Sequence, residues 1–346
     1  MAQSEVKIAW EPLSKFTKEL FVRIGMPPED AEVETGALIW ANLRGVDSHG
    51  VLRIPSYVEN VDKGVMNPRP NIKMVKETPA TLLIDADRAF GPVVTIYAMN
   101  LVIEKAKKIG IGWGLIRNLT HQGAMGYYSQ MAAKKDMVGI TFVCDSPNMA
   151  PYGARVAGMH NSPIAISIPA KRHRPLILDM ATSVVARGKI LLAIDKGVPI
   201  PEGWALGKDG KPTTDPRKYA CLLPVGGFKG SGLALMFECL SSVMMDNPLL
   251  EPALLGKEVG ENSVVAAIDI STFTDVEGYK EHIDNLIDGL KALPKAEGFT
   301  EILVPGEPEE RTFDDRSRNG IPLPEGTIRN LRSIAERFGI KVPDGL

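Results

Sequence analysis

From Ala80 onward the sequence alternates between two periodicities, and this alternation constrains the fold more than any single motif. Residues 81–84, 111–116 and 138–143 are apolar runs of strand length. Between them, 93–108 and 123–135 carry apolar residues at helical spacing, the first closed by Gly110. Two more apolar runs follow at 163–168 and 176–178, then a turn-rich surface excursion at 199–216. Residues 232–245 read as a buried helix and 264–270 as another strand. Such a pattern predicts an α/β fold, a sheet with helices flanking it.

The ends of the chain have a different texture. Helices are predicted over 10–23, stopped by Gly25, and from the Pro27-Pro28-Glu29-Asp30 cluster to about Leu43. A loop over 44–50 precedes a third helix ending near Gly64. Amphipathic helices are predicted at 279–290 and 326–338, the second packing on the N-terminal ones. At 346 residues one core is not enough. The expected division is a mainly helical domain, 1–75 joined by the tail 309–346, and an α/β domain over 76–308.

A net charge of −2 leaves no electrostatic footprint for nucleic acid or an anionic membrane, so neither is an expected partner. The cysteines, Cys144, Cys221 and Cys239, lack ligand spacing and suit a reducing compartment. Residues 1–10 show no secretory pattern, and the most apolar segment, 232–245, is too short to span a bilayer and carries Glu238. The expected location is the cytoplasm. With no H-e-x-x-H and no spaced His or Cys cluster, no metal is expected.

Nucleotide signatures of the usual kind are absent: no G-x-G-x-x-G follows a strand, and there is no Walker A sequence. Other segments carry the chemistry. Ser48-His49-Gly50 lies in the loop between two helices, with Arg53 four residues after the histidine. Histidine exchanges protons near neutral pH, and an arginine fork holds a carboxylate. The plainer reading makes Ser48 a helix cap and His49 an exposed first-turn residue. In the segment 118–126, His121 and Gly123 stand where a strand meets a helix, suited to phosphate or ring approach, or to an ordinary loop capped by Thr120. Asp179 follows an apolar run and can orient a histidine, hold a ribose hydroxyl or cap a helix. The glycine cluster 226–232, containing Lys229 and Gly230, offers close backbone approach and a cation for phosphate or carboxylate. Lys171-Arg172-His173-Arg174 is a solvated hairpin tip or, through Arg172 and Arg174, a pocket for the 2′-phosphate of NADP.

Taken in order, RGVDSHGVLRIPSYVENVDKG (44–64), THQGAMGYYSQMAAK (120–134), SPNMAPYGARVAGMHNSPIAISIPA (146–170), LDMATSVVARGKI (178–190) and GGFKGSGLALMFECLSSV (226–243) resemble the type-2 malate/L-lactate dehydrogenase family. That family includes ureidoglycolate and sulfolactate dehydrogenases, diketogulonate reductase and Δ1-piperideine-2-carboxylate reductase. The resemblance implies a homodimer with a mixed sheet in a non-Rossmann dinucleotide-binding fold. It implies NAD or NADP as cofactor and a small 2-hydroxy or 2-oxo acid as substrate. His49 is then the acid–base group with Ser48 beside it and Asp179 in support, Arg53 pins the carboxylate, and His121 competes for the histidine's role. Cofactor contacts are implied at His121, Ser146, Asp179, Met180, Ala181, Lys229, Gly306, Glu307 and Pro308. The sequence departs from the family's usual pattern at 122–125 and 159–163. A ketimine reductase and a non-catalytic nucleotide-binding protein are the alternatives.

Overall fold

The first helices end where glycine and proline place their stops. The computed structural model describes residues 6–346, without the side chains of residues 195 and 196. Residues 1–5, part of the segment read above for a secretory pattern, lie outside the described residues. Strand β1 (Val6–Ile8) leads into helix α1 (Trp10–Arg23), after which Gly25 takes φ 102°, a left-handed conformation glycine adopts without strain. Helix α2 (Pro28–Leu43) starts on Pro28, with Glu29 and Asp30 at the positive end of its dipole. A single 3-10 turn, Asp47–His49, stands in the expected loop, a second, Val51–Arg53, stands where the third helix was expected to begin, and helix α3 (Ile54–Asp62) follows.

Strands β2 (Lys73–Glu77) and β3 (Thr81–Asp85), helix α4 (Gly91–Ile109), strand β4 (Ile111–Leu119), helix α5 (Gly126–Ala133) and strand β5 (Met137–Cys144) realise the alternation. Strands β6 (Ile164–Ile168) and β7 (Leu176–Met180) form an antiparallel hairpin. Helix α6 (Arg187–Lys196), strands β8 (Ala205–Gly207) and β9 (Tyr219–Leu222), helices α7 (Phe228–Glu238) and α8 (Leu250–Leu254) and strand β10 (Glu261–Asp269) come next. Helices α9 (Val276–Ala292) and α10 (Glu307–Asn319), strand β11 (Ile321–Leu323) and helix α11 (Glu325–Phe338) complete the chain.

The main sheet has seven strands in the order β2-β3-β4-β10-β5-β6-β7. Strands β3 and β4 are parallel neighbours, while β10 is antiparallel to both β4 and β5. Thus β3, β4 and β5 point the same way, as their helical crossovers require, and a strand from late in the chain fills the slot between the last two. This mixed sheet is the α/β architecture expected from the alternation. Its directions differ from a parallel nucleotide-binding sheet, which accounts for the missing fingerprint.

One core joins both ends of the chain: Ile8, Leu13, Phe21, Leu38 and Ile54 pack with Ile321, Ile328 and Leu331. A second, with Val94, Met99, Val102 and Tyr128, lies between α4, α5 and the sheet. A third covers the other face, where Phe142 and Val264 meet Phe237 and Met245.

Several expectations are corrected. The apolar segment 232–245 is not a buried helix: α7 begins at Phe228 and passes into a π-helical turn, Cys239–Val243. Ala234, Phe237, Ser241 and Met245 are covered, whereas Met236, Val243 and Met244 are 50%, 54% and 58% exposed. A helix apolar all round can bury only one side within one chain. The excursion 199–216 is not wholly on the surface, because Ile200, Ala205 and Leu206 are buried and β8 pairs with β9. Helix α5 starts three residues later than expected, at Gly126, because Gly123 takes φ 73°. Residues 179–180 continue β7, so Asp179 caps no helix. Helices α6 and α10 and strands β1, β2 and β11 had no counterpart in the periodicity.

Candidate active site

The turn carrying Ser48 and His49 is held from three sides. Asn42 of α2 accepts from the Val51 N–H at 2.8 Å and donates to Asp47 Oδ1 at 2.8 Å. Arg316 of α10 donates to both Asp47 oxygens, at 2.6 and 3.0 Å, and to the Asn42 carbonyl at 2.5 Å. The start of α6 closes the third side, since a Cβ on Gly188 would lie 2.4 Å from Ser48 Cβ. Gly50 is equally constrained, its missing Cβ lying 2.1 Å from Asn42 Oδ1. Ser48 caps neither turn nor helix; its Oγ lies 2.9 Å from His49 Nδ1. Arg53 folds back to donate from Nε to the Ser48 carbonyl at 2.7 Å. His49 and Arg53 therefore meet across two 3-10 turns instead of on one helical face.

His121 arrives from the end of β4. A Cβ on Gly91, at the start of α4, would sit 2.5 Å from both the His121 carbonyl and Gln122 Cα, so only glycine lets that helix meet this loop. Thr120 uses its hydroxyl on the Ala89 carbonyl at 2.9 Å and caps nothing. Gln122 is buried and donates to Thr95 Oγ1 and Ser263 Oγ at 2.5 and 3.0 Å, while Tyr128 donates to its carbonyl. Its amide oxygen has no hydrogen-bond partner among the described residues. This network carries His121 to His49, where the two imidazoles stack at 5.4 Å between centroids and 13° between planes. A Cβ on Gly123 would come no nearer than 3.9 Å to the His49 carbonyl.

Both rings are half-buried, crowded by protein yet reached by solvent. Burial, then the Arg53 cation, pushes His49 down to about 3. Burial, Arg53, His49 and His160 hold His121 well below the usual histidine range. Two neutral imidazoles beside an arginine can bind a carboxylate and accept a hydroxyl proton next to it.

The structure adds residues that the sequence did not single out. Tyr57 of α3 hydrogen-bonds His121 Nδ1 at 2.6 Å. It stands one helical turn beyond Arg53, a spacing that could have revealed it. His160 and Asp145 interact with each other, and Glu261, at the start of β10, is pushed well up by burial and by Asp145 against the pull of Arg53. His160, Asp145 and Glu261 come from three separated segments, and no spacing announces them.

The other candidates fall in separate places. Asp179 gives its carboxylate to the Gly126 N–H at 2.7 Å, at the start of α5, and not to a histidine. The residue stays exposed overall; crowding shifts its carboxyl upward, opposed by the Gly126 bond and Arg44. Met180 pairs with Ile164, and Ala181 follows it half-buried. Gly306 lies against Ile177 of β7 and caps α10, where Glu307 holds Lys291 and Arg311 and the Pro308 carbonyl accepts from Thr312. Ser146 is exposed at an open depression of about 510 Å³ lined also by Pro147, Gly256, Lys257 and Val259.

Lys229 is exposed in the first turn of α7, with no hydrogen-bond or ion-pair partner among the described residues. Gly230 beneath it packs so closely that a Cβ would lie 2.2 Å from the Thr182 carbonyl. An unpaired cation at a helix N-terminus entered through Gly226 and Gly227 fits a diphosphate. The basic hairpin 171–174 is unlike it. Arg172 pairs with Asp284 and Asp288, and Arg174 with Glu310 and Asp314. Lys171 pairs with Glu281 and His173 with Asp288. A 2′-phosphate here would have to displace carboxylates already in place.

Comparison with known proteins agrees along the whole chain. Residues 8–332 match the malate/L-lactate dehydrogenase family. The chain is 40% identical to L-sulfolactate dehydrogenase of Methanocaldococcus jannaschii, covering 99% of this chain and 98% of that one. Malate dehydrogenase of Pyrococcus horikoshii is 36% identical, with 98% and 97% covered. Ureidoglycolate dehydrogenase (NAD(+)) of Escherichia coli is 31% identical, with 95% and 96% covered. Among solved structures, sulfolactate dehydrogenase from Methanocaldococcus jannaschii superposes with a TM-score of 0.87 at 40% identity, over 97% of this chain and 98% of that one. Δ1-piperideine-2-carboxylate reductase from Pseudomonas syringae does so with 0.83 at 25%, over 95% and 99%.

Proposed function

The chain belongs to the malate/L-lactate dehydrogenase family, an oxidoreductase of 2-hydroxy acids using NAD or NADP, and on that premise we propose how its residues divide the work. The observation that carries the reading is the stacked His49–His121 pair beside Arg53. When bound, the nicotinamide cofactor supplies hydride exchange with the substrate's C2. Arg53 holds the substrate carboxylate. His49, neutral in the free protein, takes the hydroxyl proton in oxidation and returns it in reduction, while Ser48 steadies its Nδ1. The carboxylate offsets the Arg53 charge, so His49 becomes a better base once substrate is bound.

Lys229 and the N-terminus of α7 hold the cofactor's diphosphate, with Gly230 keeping the helix close. Ser146, Met180, Ala181, Gly123 and the Gly306–Pro308 segment line the remainder of its site. Asp179 supports it through α5. The preferred substrates are 2-hydroxy acids with a second acidic group, as in the sulfolactate and malate that name the relatives.

The apolar surface left open by Met236 of α7 and by Leu240, Val243 and Met244, in and just after the π-helical turn, is proposed to meet a second copy in a homodimer. No helix among the described residues is long and apolar enough to cross a membrane. With Cys144, Cys221 and Cys239 unpaired, the proposed location is the cytoplasm. The division into 1–75 with 309–346 and 76–308 is proposed on the core that unites both chain ends.

The deciding experiment supplies NAD+ or NADP+ with sulfolactate, malate, lactate and ureidoglycolate, then NADH or NADPH with the 2-oxo acids and a cyclic imino acid. Turnover of the acids, lost in His49→Gln, is expected. Turnover of the imine alone would make the chain a ketimine reductase, and none at all a nucleotide-binding protein.

A further inference from the structure

Two histidines stand where one acid–base group is needed, and their hydroxyl partners differ. Tyr57 is 2% exposed, its ring edge-on to Phe90 at 5.9 Å, and among the described residues its hydroxyl meets one polar atom, His121 Nδ1, at 2.6 Å. A buried hydroxyl that only accepted would leave its own hydrogen without a partner. The phenol must therefore donate, and Nδ1 must accept.

Burial also keeps the phenol protonated, with Glu34 and Glu261 acting in the same sense and Arg53 opposing. His121 is neutral, held down by burial, Arg53, His49 and His160, so its single proton is left for Nε2. Ser48 is different. It is half-buried, and its hydroxyl can give or take a proton at His49 Nδ1. Among the described residues no partner fixes the tautomer of His49.

We infer that Tyr57 is a positioning residue that locks His121 with its proton on Nε2, making His121 a fixed hydrogen-bond donor and leaving proton transfer to His49. The inference deepens the function proposed above and rests on it for the direction of the chemistry. In oxidation the hydroxyl proton passes to His49 Nε2 and the hydride leaves C2 for the oxidised cofactor. His121 donates to the C2 oxygen before and after without giving up its proton. An Nε2 that already carries hydrogen cannot act as the base.

The test reads tautomers directly. Side-chain ¹⁵N–¹H correlation spectra of the full-length protein, assigned with His121→Gln, are expected to show His121 protonated at Nε2. In Tyr57→Phe the histidine should populate both tautomers and kcat should fall at least about tenfold, while the thermal midpoint and the cofactor's KM stay near wild type. A wild-type His121 protonated at Nδ1 overturns the inference, whether or not the variant folds. So does a Tyr57→Phe protein that keeps the Nε2 tautomer. These spectra need no substrate, so a protein that turned over no hydroxy acid could still show the lock.

Discussion

Arg316 and Asp47 are 269 positions apart and share two hydrogen bonds, 2.6 and 3.0 Å long. Through this fork a helix near the C-terminus fixes the turn that presents His49. The Arg316 side chain is 14% exposed, so water replaces it poorly, and its third bond, to the Asn42 carbonyl, ties the same turn to α2. Breaking a charge-assisted bond of this kind costs about 1.5–3 kcal/mol. Arg316→Ala should lower the thermal midpoint by several degrees and kcat/KM at least about tenfold, although the residue is placed against neither substrate nor cofactor. A scan and a rate on the same sample check this. Unchanged values for both would mean that Asn42 alone holds the turn.

A second prediction concerns pH. The folded His49 lies near 3, pushed there by burial and then Arg53, whereas the unfolded residue lies near about 6.5. Between these values the unfolded chain binds a proton that the native protein refuses. His49 therefore contributes stability that is fully present above about 6.5 and is lost as pH falls toward 3, by at most about 1.4 kcal/mol per pH unit. Glu34, Glu261 and Asp179 are shifted upward and slope the other way, so the informative quantity is wild type minus His49→Gln. Denaturant titrations from pH 7 to about 4 should show this difference shrinking as acid is added. In Arg53→Met the imidazolium loses a repelling cation, so an NMR titration should find His49 shifted upward.

What the sequence made legible follows from local physics. Helices α1, α4 and α11 were readable because apolar residues at helical spacing and a Pro or Gly boundary mark each, and α2 because Pro27-Pro28-Glu29-Asp30 marks its start. Helix α10 was not, because most of its residues are charged and none is buried; ion pairs with other segments fix it instead. Strand β10 was visible as a strand, yet its place between β4 and β5 is a long-range pairing that no local period records. The same limit governs the site. Ser48, His49 and Arg53 lie in one short stretch and could be read together, and Tyr57 stands one helical turn beyond Arg53, whereas His160, Asp145 and Glu261 join them only through the fold.

Lys229 gives a third prediction. An exposed ammonium at the entrance to α7 acts on an anion, and if that anion is the cofactor's diphosphate the loss should fall on cofactor binding. Lys229→Ala should raise the cofactor's KM more than it lowers kcat. The substrate's KM should hardly move. If instead only the substrate's constant rose, Lys229 would belong to the substrate's carboxylate.

The hairpin joining β6 to β7 supplies the last prediction. Its sequence allowed two readings, a solvated tip or a pocket in which Arg172 and Arg174 hold the 2′-phosphate of NADP. In the structure each guanidinium already has two carboxylates, and the backbone N–H groups of Lys171, Arg172 and His173 converge on Asp284 at 3.2, 2.8 and 3.2 Å. Asp284 is 1% exposed, so this convergence docks α9 on the hairpin, while Arg174 does the same for α10. Since α10 also carries Arg316, loosening it should reach His49 without favouring either cofactor. The double variant Arg172→Gln, Arg174→Gln is therefore expected to lower the thermal midpoint and to weaken NADH and NADPH by the same factor. Asp284→Ala should be more destabilising, by about 2 kcal/mol, because it leaves three part-buried N–H donors without their acceptor. KM values for both cofactors, measured beside a thermal scan, decide the matter. A loss confined to NADPH, with the midpoint unchanged, would return these arginines to the phosphate.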